Sequence, residues 1–90
     1  MTKREKLLER LLAKPKDFTW NELTRLMRTY EYYPNNKGKT SGSRVQFECE
    51  NSENILQIHK PHPSEILKPY QVKAACLFLE RIGVIEKSDN

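Results

Sequence analysis

Apolar residues recur along this chain in two rhythms, helical at both ends and alternating in the middle. From Thr2 to Ala13, Leu7, Leu8, Leu11 and Leu12 fall among charged residues at the spacing of a one-sided helix. Pro15 ends that pattern, because the residue before a proline is pushed away from helical angles, and Lys14 to Asp17 then reads as a short connection. A second helix has a marked start. Thr19 and Glu22 have the spacing of a capping box, and Phe18 and Leu23 stand where a hydrophobic staple requires them. Leu23, Leu26, Met27 and Tyr30 continue as a core stripe, with Arg25 and Arg28 pointing elsewhere. The aromatic run Tyr30 to Pro34 favours extended backbone and predicts a first strand beginning near Glu31.

The rhythm changes at Ser41. Val45, Phe47 and Cys49 alternate with Arg44, Gln46 and Glu48; after a polar turn, Leu56 and Ile58 alternate with Gln57 and His59. Two alternating runs around a turn predict a β-hairpin with one apolar and one polar face. A register that unites the apolar sets must place Arg44 and His59 on the same polar face, opposite or diagonal to one another if the turn is centred near Ser52. A cation beside a titratable imidazole, on a face with nothing apolar to bury, is a candidate site.

Pro61 and Pro63 forbid continuation as a central strand. A third helix is expected from about Lys68, with Pro69 in its first turn and Val72, Ala75, Cys76 and Leu79 as its stripe, widened by Phe78 and Ile82. Gly83 is the expected left-handed stop, with Val84 and Ile85 folding back on the core. The fold class predicted is α+β, in the order α-α-β-β-β-α. A three-stranded antiparallel sheet carries helices on one face and leaves Arg44 and His59 on the other.

Ninety residues suit a single domain, 1–90, able to fold without metals or disulfides. The net charge of +4 is compatible with a polyanionic partner, but twelve acidic residues are mixed in, so charge alone argues little more than a solvated basic surface. No apolar run approaches the roughly 18 residues of a membrane span, and the basic start leads into an amphipathic pattern, so a cytoplasmic protein without membrane contact is expected. Cys49 and Cys76 both fall at apolar positions and read as small buried hydrophobes. Gly38-Lys39-Thr40 lacks the first glycine of a phosphate-binding loop, where Tyr33 stands, and is followed by a strand pattern instead of a helix. No cofactor is expected, and His59 and His62 have no third ligand for a metal.

Several segments together resemble one known family. These are Phe18 to Tyr33, Ser41-Gly42-Ser43-Arg44-Val45-Gln46-Phe47, Ile58-His59-Lys60-Pro61-His62-Pro63 and Leu67-Lys68-Pro69-Tyr70-Gln71-Val72-Lys73. In this order they are similar to the HicA toxins of bacterial toxin-antitoxin pairs. That resemblance implies a fold like a double-stranded-RNA-binding domain, endonucleolytic cleavage of messenger RNA, and inhibition by a HicB-like antitoxin. It covers about residues 18 to 85 and leaves the first helix, 2–13, as an added element. One departure matters: the family's Gly-Ser-His histidine is replaced here, since Gly42-Ser43 is followed by Arg44.

Metal-independent RNA cleavage needs a base for the 2′-hydroxyl, a cation for the crowded phosphate and an acid for the leaving oxygen. Histidine can transfer protons near neutrality, whereas arginine stays charged and can only bind or stabilise. His59 is therefore expected to transfer the proton and Arg44 to hold the phosphate, with His62 as the rival histidine. Lys37, Lys39, Ser43, Gln46, Gln57 and Lys60 are the expected RNA contacts. The competing expectation is a non-catalytic module, binding RNA or an antitoxin, that kept the fold after losing the family's histidine.

Overall fold

The computed structural model of this chain describes residues 3–35 and 44–85. Its elements follow the order α1 (Lys3–Leu12), α2 (Trp20–Thr29), β1 (Tyr33–Asn35), β2 (Arg44–Glu48), β3 (Leu56–His59) and α3 (Pro69–Arg81). The three strands form an antiparallel sheet in the order β1-β2-β3. This is the α+β class and the element order that the periodicities predict.

The capping box at Thr19 closes in both directions. The Glu22 backbone N–H donates to Thr19 Oγ1 at 3.2 Å and the Thr19 N–H donates to Glu22 Oε1 at 2.9 Å, which satisfies two of the donors that a helix start leaves without partners. Phe18 and Leu23, the staple pair, are both fully buried. At the other end α2 terminates in a Schellman arrangement: the Glu31 N–H donates to Arg28 O and the Tyr32 N–H to Met27 O. This corrects the expected strand start near Glu31. Glu31 has φ +69°, a left-handed conformation that a strand cannot contain, and β1 begins only at Tyr33. The β propensity of the aromatic run was outweighed there by the need to satisfy the last carbonyls of α2.

All three helices end on a residue with positive φ, namely Lys14 at 52°, Glu31 at 69° and Gly83 at 86°. Only the last is the glycine that such a stop favours. Val84 and Ile85 then turn back against the core, with the Val84 N–H donating to Leu79 O at 2.9 Å.

One apolar cluster joins all the helices to the inner face of the sheet. Val45 and Phe47 from β2 and Leu56 and Ile58 from β3 alternate into it. Trp20 of α2 packs on Phe47 with ring centroids 5.6 Å apart, and Phe78 of α3 meets Tyr32 edge to face at 5.2 Å. The first helix is built into this cluster. Leu11 is fully buried, and Arg10 binds the Glu22 carboxylate through Nε at 2.7 Å and Asp17 Oδ1 at 3.1 Å, with its guanidinium over the Phe18 ring. A short antiparallel bridge ties the two sides together: Trp20 N–H donates to Glu65 O and Leu67 N–H to Phe18 O, both at 2.8 Å.

Candidate functional site

Pairing between β2 and β3 sets Arg44 opposite His59, Val45 opposite Ile58, Gln46 opposite Gln57 and Phe47 opposite Leu56. Val45, Phe47, Leu56 and Ile58 are buried, so the hydrophobic effect fixes the register. A slip of one residue would turn those four side chains to water. The same constraint holds Arg44 and His59 together on the outer face, where both are exposed. Directly opposed residues of an antiparallel pair have Cβ atoms about 4.5–5.5 Å apart, within reach of one ligand. The turn that makes this possible runs from Cys49 to Ile55, closed by Ser52 N–H to Cys49 O at 3.2 Å and Asn54 N–H to Ser52 Oγ at 3.1 Å.

The outer face is ordered in rows. Beside the Arg44 and His59 row lies a row of amides, Asn35, Gln46 and Gln57, one from each strand. Beyond it Tyr33 stands opposite Glu48, whose carboxylate accepts from Asn35 Nδ2 at 3.3 Å. The face therefore has a cationic end and an acidic end.

Gln46 and Gln57 thus meet on one row next to the Arg44 and His59 pair, as the alternation predicts. Lys60 is exposed one residue beyond β3, and His62 is exposed in the connection leading to α3. Neither is placed by the strand register, which sets only His59 opposite Arg44. Lys37, Lys39 and Ser43 lie outside the described residues.

A residue that sequence reasoning passed over holds the site from behind. Gln71 is 2% exposed; its Nε2 donates to the backbone carbonyl of His59 at 2.8 Å and its Oε1 accepts from the Lys68 N–H at 2.9 Å. It thereby caps the start of α3 and clamps the last residue of β3 to that helix. The signal was present: Gln71 stands three residues after Lys68, the capping-box spacing, just behind Pro69.

Cys76 is buried, as its place in the α3 stripe predicts, whereas Cys49 falls just after β2 and is only half-buried, because the strand ends at Glu48 and the turn begins there. Burial pushes the Cys76 thiol up from its ordinary value, with Glu80 adding to the effect and Lys14 opposing it, which disfavours the nucleophilic thiolate. Among the described residues no three His, Cys, Asp or Glu side chains converge on a possible metal position. Among them, too, no helix is long and apolar enough to cross a membrane. No family model, curated protein or solved structure matches the chain.

Proposed function

We propose that this protein is a metal-independent endoribonuclease that cuts messenger RNA, a toxin of the HicA kind silenced by a HicB-like antitoxin. The observation that carries this reading is the direct opposition of Arg44 and His59 on the exposed face of the sheet. The imidazole of His59 takes the proton of a ribose 2′-hydroxyl, and that oxygen attacks the adjacent phosphorus. The bond from phosphorus to the 5′-oxygen breaks, leaving a 2′,3′-cyclic phosphate and a 5′-hydroxyl whose proton comes from solvent. Arg44 holds the phosphate oxygens as charge accumulates on them. In this reading Gln46 and Gln57, on the adjoining row, meet a base or sugar, and Lys60 a neighbouring phosphate.

Purified protein incubated with RNA in the presence of a chelator tests this, alongside His59→Ala, Arg44→Ala and His62→Ala. Loss of a proton-transfer group lowers the rate by about 100-fold or more, so His59→Ala is expected to be nearly inactive. Arg44→Ala is expected to be strongly impaired and His62→Ala close to wild type. Equal cleavage by His59→Ala would refute the assignment. RNA binding without cleavage by any form would favour the non-catalytic module, a reading that rests on the arginine standing where the similar family carries histidine.

A further inference from the structure

At the far end of α3 from its C-terminal stop, the turn between α1 and α2 closes over the first turn of the helix. Between them is a pocket of about 480 Å³. Its lining includes the buried Leu67 and Val72 together with Pro15 and Pro69. Around it stand three lysines, Lys14 and Lys16 from the turn and Lys73 from α3, with no carboxylate in the lining. Pro69, Val72 and Lys73 are spaced to share one face of α3, and the opposite wall exists only because α1 carries the turn to that position. Nearby Asp17 is turned instead toward Arg10, at 3.1 Å.

We infer that this pocket is a docking site for an acidic segment of a partner protein, anchored by one apolar side chain. The volume lies within the range of about 300–1,000 Å³ typical of ligand sites, which admits a large apolar side chain with some flanking backbone. All three lysines are exposed; a lysine can cover apolar surface with its methylene stem while its ammonium group stays in water, where carboxylates on either side of the anchor would meet it. Nucleic acid fits less well. Phosphates could reach the lysines, but the lining has no aromatic ring on which a base could stack. A concave base also cannot be presented to a bilayer. None of the lining residues belongs to the outer face of the sheet, so the binding test can be read without any RNA cleavage.

The test uses the full chain with its Leu and Val methyl groups labelled for NMR. The probes are short acetylated peptides rich in Asp and Glu, each with a central Leu, Ile, Met, Phe or Trp. At least one of them is expected to shift the Leu67 and Val72 methyl signals. The exposed double variant Lys14→Glu, Lys73→Glu should weaken that binding by about tenfold or more. The inference is overturned if millimolar peptide leaves those methyls unmoved, or if a serine-centred peptide works equally well. Indifference to the charge reversal would also overturn it, as would an RNA oligonucleotide shifting the same methyls more strongly than any peptide.

Discussion

Gln71 shows how much a single buried amide can organise. Its two hydrogen bonds use both ends of the side chain, one to the strand that ends at His59 and one to the backbone at Lys68. A leucine of similar size would leave the His59 carbonyl and the Lys68 N–H without those partners. Gln71→Leu is therefore expected to lose about 1–3 kcal/mol, read from the urea midpoint at constant slope. An unchanged midpoint would show that solvent replaces both bonds at no cost. Under the proposed function the variant should also cleave RNA more slowly at temperatures where it remains folded, because the end of β3 is then less firmly held. His59 itself was legible from alternation alone. For Gln71 only the cap to Lys68 was legible, from its spacing; its bond to His59 was not, because a glutamine in a helix usually faces water and only the approach of β3 to the first turn of α3 makes its burial worthwhile.

At the scale of elements, the joint between α1 and α2 is electrostatic as well as apolar. The Arg10 guanidinium bound to Glu22 holds that carboxyl below the ordinary value, and hydrogen bonds from Thr19 act in the same direction while partial burial opposes them. A carboxylate with a depressed folded value contributes stability that is fully present above its unfolded value, about 4.3, and is lost as pH falls through the folded value. Stability should therefore decline on acidification below about pH 5, and Glu22→Gln should lower it at neutral pH while flattening that decline. Thermal unfolding followed from pH 7 to pH 3 measures both. Parallel curves for the two proteins would dismiss the contribution. The capping box was readable from Thr19 and Glu22, whereas the partnership with Arg10 required knowing that α1 packs across the start of α2. The helix ends behave similarly. Gly83 announces its stop in the sequence, but Glu31 does not, and its left-handed turn displaced the expected strand start to Tyr33.

For the molecule as a whole, α1 belongs to the core. Leu11 is fully buried, and its carbonyl lies 3.9 Å from Cys76 Sγ on α3. Leu11→Ala is expected to cost about 2–5 kcal/mol, a large share of the stability of a domain this size, and calorimetry would register it as a marked fall in Tm. A change near zero would mean that α1 can detach without disturbing the rest. The turn that follows the same helix completes the lysine-rimmed pocket, so this part of the chain contributes both to stability and to the proposed docking surface.

Local pattern was enough to determine the helices, the hairpin, the faces that β2 and β3 bury and the placing of Arg44 and His59 on one face; their direct opposition came from the register. These depend on side-chain periodicity and on the cost of exposing apolar area, which are properties of neighbouring residues. Tertiary structure alone decided what those elements do to one another. The clamp from Gln71, the bond of Arg10 to Glu22 and the pocket between Pro15 and Pro69 join residues that are at least 12 apart in the chain. No local periodicity brings such groups together; they meet because the helices and the sheet must share one core.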